Sequence, residues 1–140
     1  FSAYGSGLRK QILWDCCNRL ASTRDALVLD GSGQERRDWI HASDVARLLV
    51  LVGGALPSPE VPVVNGGTGQ GHTVAEFTQL ALAAWGVQRP VSFSGMSRPG
   101  DPVNLVADVA RARALGFAPQ VALGQGIQAY VDWFRLAAGH

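Results

Sequence analysis

Asp30-Gly31-Ser32-Gly33-Gln34-Glu35-Arg36-Arg37-Asp38-Trp39-Ile40-His41-Ala42-Ser43-Asp44-Val45 is the stretch on which the fold of this chain turns. The β-prone run Ala26-Leu27-Val28-Leu29 precedes it and Trp39-Ile40 lies within it, so Gly31-Ser32-Gly33 reads as a hairpin-like reversal between two short strands. Ser43 or Asp44 then suits the cap of a new helix. Arg36 and Arg37 sit between turn and strand, where a planar guanidinium group can meet a phosphate in fork geometry. This is the first indication of an anionic ligand.

Composition sets the outer bounds. A chain of 140 residues, 47% apolar and 16% charged, has room for one domain with a modest core. A formal net charge of +1 with scattered basic residues gives no general attraction to nucleic acid or to an anionic membrane, so any anion site must be local. Cys16 and Cys17 are neighbours on an expected helix, where a mutual disulfide would be badly strained, and no metal-ligand spacing occurs. With no apolar run near the ~20 residues of a membrane helix and no signal pattern, the expected location is the reducing cytoplasm. Met96 is the only methionine, and Phe1-Ser2-Ala3-Tyr4 reads as the end of a strand. The chain is therefore expected to be a piece of a larger fold.

Working outward, apolar residues at Leu8, Ile12, Leu13, Cys16, Cys17 and Leu20 predict a helix over Leu8 to Leu20. Arg9 and Lys10 would lie in its first turn, either as phosphate contacts or as part of a solvated basic face. The run Val45 to Val52 is so continuously apolar that it predicts a helix buried on most sides and ended by Gly53-Gly54. A strand is expected over Val61 to Asn65, helices over Val74 to Trp85, Val109 to Leu115 and Leu123 to Leu136, and a short strand at Val91-Ser92-Phe93. Thr73-Val74-Ala75-Glu76 has the form of a capping box, Gly86 and Gly116 suit helix ends, and Asp108 suits a cap. The last helix should bury Ile127, Tyr130, Val131 and Phe134.

Gly66-Gly67-Thr68-Gly69-Gln70-Gly71 follows the expected strand and precedes a helix, the setting of a dinucleotide loop. The spacing argues against that use. The fingerprint places its last glycine in the helix start and an acidic residue about 20 positions on, whereas here the helix begins only after Thr73 and no acidic strand end follows. A structural loop is expected.

The opening stretch resembles the Gly-x-Gly and Arg-Asp-Tyr/Trp-Ile-His-Val-x-Asp segment of the extended short-chain dehydrogenase/reductases, the nucleotide-sugar epimerases and dehydratases. Three further matches follow in family order: Tyr4-Gly5-Ser6-Gly7 with Tyr-Gly-Pro-Gly, Val63-Val64-Asn65-Gly66-Gly67 with the Tyr-Asn-x-Gly strand, and Arg98-Pro99-Gly100-Asp101 with the Arg-x-Gly-Asp loop. The resemblance covers nearly the whole chain. It implies an α/β fold, the C-terminal, substrate-binding half of such an enzyme, mostly helices with short strands and lacking the N-terminal Rossmann unit.

The same resemblance implies which residues face the substrate. Arg37 and Arg98 take the positions of the family's diphosphate-binding arginines, and Asp101 that of the carboxylate near the ribose hydroxyls. The alternative for Arg98 and Asp101 is a solvated Pro-Gly turn. Relatives carry an apolar residue where Arg36 stands, which leaves open whether Arg36 or Arg37 faces the ligand. The family's hydride chemistry uses a Tyr-x-x-x-Lys pair, but Tyr4 is followed at that spacing by Leu8 and Tyr130 by Phe134. The expectation is therefore a chain with no catalytic residues and no cofactor site of its own, from a family that uses NAD or NADP. Such a chain should bind a nucleotide sugar or nucleoside diphosphate weakly and form a homodimer or larger species. The alternative is an independent α/β module for self-association or partner binding. His41 is expected to be a hydrogen-bonded structural residue, and Asp38 to orient Arg37 or cap a backbone amide.

Overall fold

The computed structural model describes residues 1–55, 63–96 and 99–138. Three helices form its apolar layer: α1 (Gln11–Ser22), α3 (Val74–Trp85) and α5 (Leu123–Ala138). Each presents one apolar stripe to the others, so that Leu13 and Cys17 of α1, Phe77 and Ala81 of α3, and Ile127, Tyr130, Val131 and Phe134 of α5 share one buried cluster. Trp39 stacks on Phe77 with ring centroids 4.3 Å apart, joining the helices to the strands. The capping box of α3 forms as expected, with Thr73 Oγ1 accepting from Glu76 N and Glu76 Oε2 from Thr73 N, and Gly86 ends the helix at φ +76°.

Helix α1 begins at Gln11 rather than Leu8, because Lys10 adopts extended backbone at the N-cap position. Arg9 and Lys10 thus precede the helix instead of lining its first turn, and the Arg9 guanidinium lies 5.9 Å from the Trp14 ring centroid.

The strands pair across long stretches of sequence. β1 (Ser2–Tyr4) runs parallel to β4 (Trp39–His41), with Tyr4 opposite His41, and β2 (Leu27–Leu29) runs parallel to β6 (Val91–Phe93). The expected hairpin is therefore absent. Glu35 folds back onto the Gly31-Ser32-Gly33 turn, its Oε1 accepting from Ser32 N at 2.7 Å and Ser32 Oγ at 2.8 Å, and this loop hands the chain from one parallel pair to the other. Between them β3 (Arg36–Arg37) is flanked by β5 (His72–Thr73), antiparallel, and β7 (Asn104–Leu105), parallel.

Helix α2 (Ala42–Ala55) departs from expectation in three ways. It continues through Gly53-Gly54. It buries only an inner stripe with Asp44 and Leu48, leaving Leu49 68% and Val50 77% exposed, because its one packed side meets Ile40 and the region of α4 (Ala110–Ala114) and Phe117. Neither Ser43 nor Asp44 caps it with its side chain. Instead the Ser43 N–H donates to His41 Nδ1 at 3.3 Å, which gives His41 the structural use expected of it. Residues 63–65 form no strand, and the rest of that expected element lies outside the described residues. Asp108 Oδ1 does accept from Ala110 N at 2.9 Å at the start of α4, and Gly116 follows the helix at φ +84°.

Two fully buried carboxylates tie these parts together. Asp38 accepts from Thr68 N (2.8 Å), Thr68 Oγ1 (2.6 Å), Gly69 N (2.9 Å) and Ala107 N (3.2 Å). Asp44 accepts from Gln120 N and Val121 N at 3.1 Å and from Arg47 Nη1 at 2.6 Å. Hydrogen bonds to charged groups contribute about 1.5–3 kcal/mol each, and a buried amide left without its acceptor costs about 1–3 kcal/mol. Asp38→Ala should therefore lose at least about 3 kcal/mol in urea unfolding. Asp38→Asn should lose nearly as much, since its amide nitrogen would face backbone donors. A loss below about 1 kcal/mol for both would contradict this assignment.

Candidate functional site

Arg37 and Asp101 lie in the lining of one open cleft of about 590 Å³. Asp30, Gly31, Glu35, Met96, Pro99 and Val103 line it as well, with Ile12 and Val74 closing it on the helical side. The site therefore assembles the opening turn, the strand β3 and the loop before β7. Arg98 lies outside the described residues; its neighbour Pro99 is part of the lining. Gly100 takes φ +91°, a left-handed turn that glycine adopts readily, and so carries the chain round to Asp101.

The side chains of Arg36 and Arg37 do different things, as alternation along a strand requires. Arg36 donates from Nη2 to Gly71 O at 2.7 Å, and a Cβ at Gly71 would come within 3.2 Å of that guanidinium. Arg37 donates from Nη1 to Pro102 O at 2.7 Å and to Arg36 O at 2.9 Å. Two accepting carbonyls hold one nitrogen of Arg37 against the loop that carries Asp101, leaving the rest of the fork toward the cleft. The arginine that faces the cleft is thus Arg37.

Glu35 is held below the usual carboxylate range chiefly by the Ser32 backbone N–H, so it stays ionised while it braces the turn. The roles of Asp30, Glu35 and Met96 in the lining escaped the sequence reading. For Asp30 and Glu35 the signal was nearness to the two turn glycines; Met96 had none, because residues 94–96 meet that turn from far along the chain: Gly31 N donates to Met96 O and Gly95 N to Gly31 O.

The glycine-rich loop at residues 66–71 turns its amides inward. The amides of Thr68 and Gly69 already converge on the Asp38 carboxylate, which occupies the place an anionic ligand would take. A Cβ at Gly67 would sit 2.4 Å from Ala107 Cβ and 2.5 Å from Asp38 Oδ2, so the glycine is needed for close packing. The loop's amides at Thr68 and Gly69 are thus used within the fold.

Both tyrosine hydroxyls are committed to backbone carbonyls: Tyr4 donates to Leu123 O at 3.3 Å and Tyr130 to Leu8 O at 2.5 Å. Burial, with Asp44 adding to it, pushes the Tyr4 phenol from 10.0 up to about 12, and burial likewise raises Tyr130. A tyrosine acting as a proton-transfer base needs the opposite shift. Among the described residues no group of three or more His, Cys, Asp and Glu is placed to hold a metal ion, and no helix is long and apolar enough to cross a membrane.

Comparisons with known proteins give the family and the fold. The family model of GDP-mannose 4,6 dehydratase matches residues 5–130, and the chain belongs to this family of nucleotide-sugar epimerases and dehydratases. It is 36% identical to a dTDP-glucose 4,6-dehydratase of Streptomyces niveus over 75% of the chain and 31% of that protein. It is 33% identical to a UDP-glucose 4-epimerase of Azospirillum brasilense over 85% of the chain and 36% of that protein. Among solved structures, MoeE5 in complex with UDP-glucuronic acid and NAD superposes with a TM-score of 0.83 at 27% identity, over 98% of this chain and 46% of that one. The UDP-glucose 4-epimerase of Thermotoga maritima with UDP-glucose superposes with a TM-score of 0.83 at 25% identity, over 98% and 44%. The chain spans about a third of the length of the curated relatives and under half of these structures.

The tyrosine and thiol shifts set an alkaline limit. Burial, with Asp15 adding for Cys16 and Cys16 for Cys17, raises both thiols from 9.0 to about 12. A group whose pKa is raised by folding stabilises fully below its unfolded value and loses that contribution as pH rises through the folded value. Unfolding free energy should therefore hold up to pH 9 and fall between pH 9 and about 12. Denaturation curves across that window check it, and a flat profile to pH 12 would contradict the burial of these groups.

Proposed function

We propose that this chain is the nucleotide-sugar-binding portion of an NAD-dependent epimerase or dehydratase and does not catalyse the reaction alone. The carrying observation is the cleft whose lining brings together Arg37, Pro99 and Asp101. In this reading Arg37 and Arg98 neutralise the diphosphate through charge-assisted bonds, and Asp101 accepts from the ribose hydroxyls. The committed hydroxyls of Tyr4 and Tyr130 and the filled loop at 66–71 support the absence of proton-transfer and cofactor sites from this chain. Hydride transfer and its nicotinamide belong to a Rossmann half of the whole enzyme.

With contacts from only one half, a nucleoside diphosphate should bind with a dissociation constant of order 0.1–1 mM, equivalent to about 4–5.5 kcal/mol. Titration calorimetry at low salt measures it. Arg37→Ala should weaken binding about tenfold or more, and Arg98→Lys should lose much of what Arg98→Ala loses, since an ammonium group does not reproduce the fork. Unchanged affinity in Arg37→Ala, or low micromolar binding of NAD or NADP, would overturn the proposal.

Self-association is favoured by a separate observation. Leu49 and Val50 are exposed on α2, and Val50 borders an apolar hollow lined by Ala46, Leu51 and Phe117. A homodimer or larger species covering this surface is expected, because contiguous exposed apolar surface favours association. Sedimentation should show concentration-dependent association that Val50→Glu abolishes; a monomer at high micromolar concentration would contradict it.

A further inference from the structure

The relatives named above act on dTDP-glucose and UDP-glucose, and the family model carries the name of a GDP sugar, so the comparisons leave the base open. The cleft itself is more specific. Resting on the nucleoside-diphosphate reading of this cleft, we infer that its Asp30 end is a base subsite selective for guanine.

The lining joins two chemically distinct parts, held by separate hydrogen bonds and taken here as its two ends. At one end Arg37 is bound to Pro102 O, next to Asp101, which suits diphosphate and ribose. The other end is built where the turn meets the chain after β6: Gly31 N donates to Met96 O, Gly95 N to Gly31 O and Ser94 N to Leu29 O. These bonds fix Asp30 at the end of β2 and hold Met96 opposite it. The Met96 side chain is 67% exposed, a polarisable apolar surface suited to the face of a flat ring. Ser94 Oγ lies 3.4 Å from Asp30 Oδ1, a long contact that orients the carboxylate without occupying it. Of the other carboxylates in the lining, Glu35 is turned onto Ser32. Asp30 is therefore the acceptor presented to a base edge at this end.

A carboxylate accepts hydrogen bonds and donates none. Guanine offers it two adjacent donors, N1–H and N2–H, which match its two oxygens. Uracil and thymine offer one N–H between two carbonyl oxygens, which a carboxylate repels, and adenine and cytosine pair each donor with an acceptor nitrogen. A site that hydrogen-bonds its ligand discriminates strongly against analogues lacking those donors. In the opened cleft of this chain, where water competes, the expected preference is about tenfold.

Calorimetric titration of the intact chain with GDP, UDP, dTDP, ADP and CDP at one salt concentration is the test. GDP should bind about tenfold more tightly than UDP or dTDP. Asp30→Asn, which leaves an exposed position and should keep the unfolding midpoint, should reduce GDP to within about threefold of UDP; Asp101→Asn should weaken all five alike. Equal affinity for the five, or a GDP preference that survives Asp30→Asn, overturns the base assignment and leaves the diphosphate site standing. If none of the five binds at millimolar concentration, the diphosphate reading fails and the base assignment falls with it.

Discussion

Asp38 is the point on which the rest of this structure depends. It follows the cleft arginine, is fully buried, and gathers the amides of Thr68, Gly69 and Ala107 on one carboxylate. A buried charge persists only where hydrogen bonds replace its water, and here two separated stretches of chain supply them. The same residue thereby fixes β3 between β5 and β7, since Asp38 N donates to Leu105 O immediately beyond the strand. Arg37 is held in the cleft as a consequence of that frame.

The filled loop at 66–71 shows how closely a structural device can imitate a ligand site. A glycine-rich turn of converging amides between an extended segment and a helix is the arrangement that cradles a phosphate. In this chain the anion is internal. Gly67 makes this possible, since its missing side chain leaves room for Asp38 and Ala107.

Much of this was legible in the sequence because it is local. The capping box at Thr73 and Glu76, the glycine end at Gly86 and the apolar stripe of α5 depend on neighbours a few residues away, and each forms as read. The family was legible too, through four motifs in order. The misreadings share one cause, dependence on distant partners. The turn at Gly31 to Gly33 had the residues of a hairpin, but parallel pairing with β1 and β6 cannot be seen from within that stretch. Asp44 stood at a helix start, yet its acceptors' partners are Gln120 and Val121. The apolar run of α2 suggested burial all round, whereas one side faces outward at Leu49 and Val50. Arg37 and Asp101, singled out by resemblance, both line the cleft, and strand alternation separated Arg37 from Arg36 only once β3 had neighbours on both sides. Asp30 and Met96 became neighbours only through backbone bonds that span nearly half of the chain.

The central claim is one of place: a nucleoside diphosphate binds the cleft at Arg37, and the glycine-rich loop is closed to it by Asp38. Amide chemical-shift mapping with GDP tests that claim most directly. The account requires shifts at Gly31, Glu35, Arg37 and Val103 that grow together with concentration, and little change at Thr68, Gly69 and Ala107, whose N–H groups stay on Asp38. Shifts concentrated at Thr68 and Gly69, with the Arg37 region unmoved, would contradict it.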